Sequence, residues 1–121
     1  MINVEIRIKI EKKLDKIVEM AESAVPSNEQ IKKISDTQLR NIQNMANSTY
    51  SVKALENFIA YQVGRKKIPK EFKDKIISDF NNLKQLSIEI AGEENSEVHM
   101  ELIRLYLGFL VRGFKYKKGE K

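Results

Sequence analysis

The segment from Leu102 to Phe114 constrains the fold most, because apolar side chains occupy nearly every face of the helix that it would form. Such a helix has almost no polar side to turn toward water. We therefore expect it to be the central helix of a bundle, or to be shared with a second copy of the chain. Both arrangements predict an all-α fold, and the second also predicts a homodimer.

Apolar residues also follow helical spacing in most of the remaining chain. Those within residues 52–63 and 72–90 recur every three or four positions, which is typical of helices with one buried face. The chain has 121 residues, a length that suits one domain with a single core. We expect a single domain, residues 1–121, built from about five helices. The predicted helices span residues 1–24, 36–46, 51–65, 69–91 and 96–114.

The first ten residues fit two kinds of element. Isoleucine and valine alternate with polar residues within residues 2–10, as in a strand, but a helical spacing also continues as far as Val18. No second strand pattern lies nearby to pair with a strand, and residues 11–22 are good helix formers. We favour an N-terminal helix within residues 1–26. It is expected to end at Val25–Pro26, because a residue before proline avoids helical backbone angles.

Start and stop signals mark several helix ends. Ser27–Gln30 and Ser35–Gln38 fit the capping box, in which the serine oxygen and the glutamine side chain satisfy each other's unpaired backbone donors. Ala91–Gly92 is a typical helix stop, and Ser96 is the expected N-cap of the last helix. Residues 64–68 are the expected exit from the helix that precedes them, where Gly64 either lets the chain leave the helix or allows close packing.

Charge and composition narrow the choice of partner and compartment. The formal net charge is +5, and cationic side chains gain free energy by releasing counterions from phosphate backbones, so we expect an anionic partner. The chain has no cysteine, which excludes disulfides and thiolate ligands. Its longest apolar run, residues 105–111, is far shorter than the ~20 residues that cross a bilayer, and no secretory signal is visible. We expect a cytoplasmic protein without membrane contact.

One polar helix face carries residues suited to RNA. Arg40, Gln43, Asn44 and Asn47 follow the spacing of one face of the helix 36–46. Guanidinium and amide groups can contact phosphate oxygens and 2′-hydroxyls without requiring a particular base. The alternative is an ordinary solvated face. The lack of glutamate and lysine on this face favours the RNA interpretation.

A second candidate group lies at the end of the third predicted helix. It consists of Arg65, Lys66, Lys67 and Lys70, in a stretch with a local excess of positive charge. Such a density can follow a phosphate backbone, although basic runs at helix ends also serve solubility or complement the helix dipole. Tyr61, one turn earlier, can stack on a base, but core packing is the more common role for a tyrosine alone.

The remaining polar groups offer little catalytic chemistry. Residues 115–121 are expected to form a flexible basic tail, either a mobile electrostatic arm or a frayed terminus. His99 is the single histidine and is expected at the surface. The carboxylates of Glu93, Glu94 and Glu97 lack a second group of matching chemistry. We therefore expect no catalytic residue, metal site or cofactor.

Two short motifs resemble a known family. Thr37–Asn41 reads TQLRN, and Ala60–Arg65, further along the chain, reads AYQVGR. Their order is similar to that in the small helical subunit of type III-A CRISPR effector (Csm) complexes, and the similarity covers residues 37–67. The chain departs from the family in its last helix, where Leu107–Phe114 reads LGFLVRGF in place of a Glu-Ala-x-x-Ala-Tyr-like ending.

The resemblance implies a non-catalytic subunit that assembles in several copies along guide RNA and target RNA, beside the other Csm subunits that carry out catalysis. It implies that Arg40 and Arg65 face RNA, with Lys66 and Lys67 added on charge alone. We expect an antiviral RNA-binding protein that contacts phosphates without sequence preference. The alternative is a helical homo-oligomerisation or scaffold protein with incidental basic patches, which the apolar segment 102–114 motivates.

Overall fold

The computed structural model describes residues 2–119, and these residues contain seven α-helices. They are α1 (Val4–Lys12), α2 (Leu14–Ala24), α3 (Asn28–Ile31), α4 (Asp36–Asn47), α5 (Val52–Gly64), α6 (Lys70–Ala91) and α7 (Ser96–Gly119). These residues contain no β-strand, so the all-α prediction is confirmed.

The predicted number of about five helices is wrong, chiefly because the N-terminal helix is interrupted. The sequence predicts one helix up to Ala24, whereas the structure has two helices separated by Lys13. The Lys13 N–H donates to the Ile10 carbonyl at 2.9 Å, which closes α1 with a tighter turn. The break lets α1 pack on α6 while α2 packs on both α6 and α7. The other addition is α3, a helix of four residues that begins at a predicted serine cap but lies outside the predicted helix ranges.

The central helix of the bundle is α7. It packs against α2, α4 and α6 of the same chain. Its buried side chains are those of Val98, His99, Met100, Leu102, Ile103, Tyr106, Leu107, Leu110 and Phe114. The prediction of a central apolar helix is therefore confirmed, since neighbours within one chain cover these residues. The homodimer stays a prediction.

Serine caps start α3 and α4, as predicted. Ser27 Oγ accepts a hydrogen bond from the Gln30 N–H at 3.4 Å, and Ser35 Oγ accepts one from the Gln38 N–H at 3.2 Å. The reciprocal half of each capping box is not formed. The Oε1 atoms of Gln30 and Gln38 are buried without a hydrogen-bond partner among residues 2–119. The serine half of each box is thus what marks the helix start.

The junction between α6 and α7 follows the sequence closely. Gly92 has φ +83°, a left-handed angle that glycine adopts without steric penalty, and this confirms the predicted end of α6. Asn95 Oδ1 accepts a hydrogen bond from the Val98 N–H at 3.1 Å, so Asn95 is the N-cap of α7. The predicted N-cap, Ser96, is wrong by one position, because asparagine and serine cap about equally well and stand side by side here.

Two lysines hold the last turns of α7 against earlier parts of the chain. Lys117 Nζ donates to the Pro26 carbonyl at 2.8 Å. Lys118 Nζ donates to the Ile34 carbonyl at 2.8 Å and to Asp36 Oδ1 at 3.0 Å. These bonds attach the end of α7 to the segments on either side of α3.

Residues 115–119, which the sequence assigns to a flexible tail, are helical. Residues 120–121 lie outside the described residues. The hydrogen bond and charge of Lys118 lower the pKa of the Asp36 carboxyl below its usual value. Part of the basic charge at this end of the chain thus has a structural use.

The helices α2 and α7 approach closely at Gly113. A Cβ atom added to Gly113 would lie 2.7 Å from Val25 Cγ2, which is closer than such atoms come in proteins. A Cβ atom added to Gly108, in the same helix, would meet Gln43 Nε2 at 4.0 Å, an ordinary contact. A side chain at the first position therefore requires Val25 or α7 to shift, whereas the second position has room for one.

We expect Gly113→Ala to lower the free energy of unfolding by about 1–3 kcal/mol, because the new methyl group forces α7 away from Val25. Gly108→Ala is expected to raise it by about 0.5–1 kcal/mol, because alanine loses less backbone entropy in a helix. Urea unfolding followed by far-ultraviolet circular dichroism measures both changes. Equal stabilisation by the two substitutions would contradict the close approach of α2 and α7.

Candidate nucleic-acid interface

The turn between α5 and α6 ends α5 in a way that the sequence does not predict. Gly64 is the last helical residue, and the left-handed residue is Lys66, with φ +63°. The Lys66 N–H donates to the Val63 carbonyl and the Lys67 N–H to the Gln62 carbonyl, both at 2.9 Å. This is the hydrogen-bond pattern of a Schellman C-cap, whose left-handed position usually holds glycine. A lysine occupies that position here, within the exit that the sequence predicts at residues 64–68.

The same turn presents four of the predicted RNA-binding cations to solvent. The exposed side chains are those of Arg65, Lys66, Lys67 and Lys70. Within the turn, Ile68 is buried and anchors the backbone in the core. The C-cap hydrogen bonds and this anchor hold the turn in one conformation. An anion that binds here does not have to order the backbone first, which reduces the entropic cost of binding.

Two carboxylates, those of Glu71 and Asp74, partly offset this positive charge. Asp74 lies in the first turns of α6, where its carboxylate is 2.9 Å from Lys70 Nζ and 3.6 Å from Lys73 Nζ. Ion pairs this exposed contribute little to stability. Lys70 can therefore exchange this partner for a phosphate at small cost.

Tyr61 lies on the surface beside these cations. It is 58% exposed, and the guanidinium carbon of Arg65 is 5.5 Å from the centroid of its ring. Of the two roles that the sequence leaves open for Tyr61, core packing does not apply, because Gln62 is the residue that turns inward at this point of α5. An aromatic ring and a guanidinium group are both groups on which unpaired bases can stack.

The polar face of α4 is divided between solvent and α7. Arg40, Asn44 and Asn47 are exposed, whereas Gln43 is half-buried. The Gln43 amide lies next to Gly108 of α7, as its distance from a Cβ at that position shows. Three of the four predicted residues on this face are thus available to a ligand, and Gln43 also packs between helices.

Arg40 lies where α4 meets the last part of α7. It lines a small recess of about 30 Å³ together with Asp36, Leu39, Gln43, Val111 and Lys115. Lys115, which the sequence assigns to the flexible tail, is therefore a neighbour of Arg40. The predicted residues form two groups, one at the α5–α6 turn and one at the α4–α7 boundary.

The sequence reasoning missed Lys33. This residue lies in the α3–α4 connection, far from the α5–α6 turn in sequence, but it lines the same recess as Lys66 and Lys70. Its one sequence signal is the Lys32–Lys33 pair between the two serine caps. Nothing in that pair indicates that tertiary packing brings Lys33 to the α5–α6 turn.

His99 has a structural role. The prediction of a surface residue is wrong, because the side chain is 7% exposed and its Nε2 atom lies 2.8 Å from the Phe80 carbonyl oxygen. Burial lowers the pKa of His99. The hydrogen bond with Phe80 raises this pKa and repulsion from Lys84 lowers it, but burial has the largest effect. The neutral imidazole, with Nε2–H as the donor to Phe80, is the form that this site favours.

A buried polar pair between α6 and α7 also went unnoticed in the sequence. The Tyr106 hydroxyl donates to Asp79 Oδ2, and Lys75 Nζ donates to Asp79 Oδ1 at 3.3 Å. Burial, followed by the hydrogen bond to Asp79, raises the pKa of Tyr106. Tyr106 also packs edge-on against the Phe80 ring, with the centroids 6.0 Å apart. Asp79 and Tyr106 join two helices and lie inside the bundle, whereas Lys75 reaches Asp79 from the surface.

Within residues 2–119, no three side chains of histidine, aspartate or glutamate come together in a way that could hold a metal ion. None of the helices in these residues has both the length and the apolar composition needed to cross a bilayer.

Comparison with known proteins assigns no family. No protein-family model matches the chain, and neither a search of curated proteins nor one of solved structures finds a match. The resemblance to Csm small subunits therefore depends on the two short motifs within residues 37–67.

Proposed function

We propose that this chain is a non-catalytic small subunit of a type III-A CRISPR (Csm) interference complex. In this role it binds guide or target RNA through the phosphate backbone and assembles beside the other subunits in the cytoplasm. The observation that carries the RNA-binding proposal is the exposed, ordered cationic turn between α5 and α6. The Csm part is supported by the motifs TQLRN and AYQVGR.

Phosphate contact is the mechanism that this turn supports best. Ammonium and guanidinium groups displace counterions condensed on the strand, which gives affinity without reading bases. Arg65 can bind a phosphate with two parallel hydrogen bonds, and the ring of Tyr61 beside it can stack on any base. In this proposal, sequence specificity comes from base pairing between guide and target, and catalysis belongs to partner subunits.

The second group, around Arg40, supports contact with a longer stretch of strand. Arg40 and Lys115 supply cations, and Asn44 and Asn47 supply exposed amides on the same helix face. Amides can bind the 2′-hydroxyls that distinguish RNA from DNA.

We expect wild-type protein to bind single-stranded RNA with an affinity that falls steeply as salt rises, measured by fluorescence anisotropy. The double variant Arg65→Gln/Lys67→Gln removes two cations from the turn. Since each phosphate contact on a single strand contributes about 0.7 to the salt slope, the slope should fall by about 1.4 and the affinity near 0.1 M salt by roughly 25-fold. The matched control, Lys9→Gln/Lys16→Gln, removes two exposed lysines from α1 and α2 and should bind like wild type.

Salt-independent binding, or no binding either alone or in an assembled complex, would overturn the RNA proposal. Light scattering on the same samples addresses the rival proposal of a homo-oligomerisation protein, which the exposed Val4 and Ile8 side chains of α1 favour. A stable dimer whose RNA affinity ignores the Arg65/Lys67 substitutions supports that rival. Exclusion of the chain from a particle reconstituted with the other Csm subunits and guide RNA would contradict the Csm part alone.

A further inference from the structure

A lysine-lined recess lies where the α3–α4 connection meets the α5–α6 turn. Its volume is about 370 Å³, and it is lined by Lys33, Val63, Lys66, Ile68, Pro69 and Lys70. The three lysines come from three separate parts of the fold: the α3–α4 connection, the α5–α6 turn and the first residue of α6. Packing of the helices therefore creates a charged site that no single segment contains.

The lysine ammonium groups that line this recess repel one another and favour the binding of an anion. Of the described residues that line it, three are lysines and none is acidic. Lys70 pairs with Asp74, outside the recess, at 2.9 Å. Lys33 and Lys66 then leave a local excess of positive charge. An anion seated between them relieves their repulsion, and this relief adds to its direct attraction to each lysine.

The backbone of Lys66 is consistent with a need for a cation at this position. Its φ of +63° lies in the region where a side chain is disfavoured and glycine is usual. Helix termination alone would be served better by glycine. The lysine side chain at this left-handed position adds the third cation to the lining of the recess.

We propose that this recess seats a backbone phosphate of the bound RNA strand, held by Lys33 and Lys66 with Lys70 at its edge. This inference rests on the proposed RNA-binding function and adds the α3–α4 connection to the binding surface. Lysine ammonium groups act as point charges that suit phosphate oxygens. The apolar floor of Val63, Ile68 and Pro69 can lie against the adjoining ribose. The volume, about twelve times that of a water molecule in the liquid, has room for both groups.

The test is a salt series of RNA binding for Lys33→Gln and Lys66→Gln, with Lys16→Gln as the matched control. Because both lysines hold one phosphate, the double substitution Lys33→Gln/Lys66→Gln should reduce the salt slope by about 0.7 and the affinity near 0.1 M salt by about fivefold. Each single substitution should give a part of this loss. The control should bind like wild type. If wild type binds with the expected salt dependence but Lys33→Gln matches Lys16→Gln, the recess proposal is overturned while the proposed function stands. If wild type does not bind, the proposed function itself fails.

Lys66→Gly separates binding from folding. Glycine fits the left-handed backbone, so the thermal midpoint should stay the same or rise, whereas the loss of affinity should equal that of Lys66→Gln. Lys66→Arg keeps the charge and should retain binding within about twofold. Wild-type affinity in Lys66→Gly would overturn the role of this side chain.

An RNA strand with a 5′-hydroxyl should bind like its 5′-phosphorylated form. A requirement for the terminal phosphate would overturn the assignment to a backbone phosphate.

Discussion

Replacing Phe114 by alanine is expected to lower the free energy of unfolding by about 3–5 kcal/mol, because the cavity it leaves lies in a packed core. The Phe114 ring is fully buried near the end of α7. The Phe114 ring meets the Phe72 ring edge-on, with the two centroids 5.6 Å apart. The Lys118 ammonium lies 5.9 Å from the centroid of the Phe114 ring. Domains of this size have only about 5–15 kcal/mol of net stability, so the loss should be large in a urea unfolding curve.

Tyr116→Ala is the matched control for Phe114→Ala. Tyr116 follows two residues later on the same helix and is 74% exposed, so its removal should change stability by less than about 0.5 kcal/mol. A docked end of α7 predicts this strong contrast between neighbouring aromatic residues. Small effects from both substitutions would show that the end of α7 frays, as the basic composition of residues 115–121 alone suggests.

Features that depend on local chemistry were predictable from the sequence. The stop at Gly92 and the serine caps at Ser27 and Ser35 depend on residues within one helical turn, and the structure has them where the sequence places them. The central position of α7 follows from an apolar surface too broad for a helix that faces water.

Features that depend on distant partners were not predictable in this way. The charge of Lys117 and Lys118 suggests a solvated tail. In the structure, both lysines donate hydrogen bonds to carbonyl groups far away in sequence, and these bonds hold the end of α7 in place. His99 is near a helix start, where polar side chains are usually solvated, but the Phe80 carbonyl gives it a buried partner. In each case the hydrogen bond that decides the outcome crosses the fold.

The candidate site shows the same division. The cations at Arg65 and Lys67 were predictable as a charged run, and they are exposed. The left-handed backbone of Lys66 was not, because Gly64 offers a residue better suited to that angle only two positions earlier. Lys33 was missed because its place beside Lys66 follows from how the α3–α4 connection packs.

The structure also separates cations with a structural use from those turned toward solvent. Arg104 Nε donates to the Ala46 carbonyl at 2.9 Å and its Nη2 atom to the Thr49 carbonyl at 3.0 Å, so this arginine caps the end of α4. Lys117 and Lys118 hold the end of α7. The cations of the α5–α6 turn are exposed instead. The net positive charge is therefore a better argument for an anionic partner at this turn than for the molecule as a whole.

Tyr106→Phe is expected to lower the free energy of unfolding by about 2–3 kcal/mol, because it removes a hydrogen-bond donor from a buried carboxylate. Asp79 is 3% exposed and accepts hydrogen bonds from the Tyr106 hydroxyl and the Lys75 ammonium. In the variant, only the bond from Lys75, at 3.3 Å, remains of these two. The ring of Tyr106 stays in place, so the change isolates one oxygen atom. Tyr61→Phe is the control, because that tyrosine is 58% exposed and its hydroxyl should contribute almost nothing.

The same substitution should change how stability depends on alkaline pH. Burial and Asp79 raise the pKa of Tyr106 above its usual value of 10.0, so the folded protein keeps this proton at a pH where the unfolded chain releases it. The contribution of Tyr106 to stability is therefore complete below pH 10 and is lost progressively as the pH rises above it. The difference in the free energy of unfolding between wild type and Tyr106→Phe should shrink by about 1 kcal/mol between about pH 10 and 11, since the titrating lysines are common to both proteins and cancel in the difference. A difference that stays constant across this range would mean that the Tyr106 proton does not stabilise the fold.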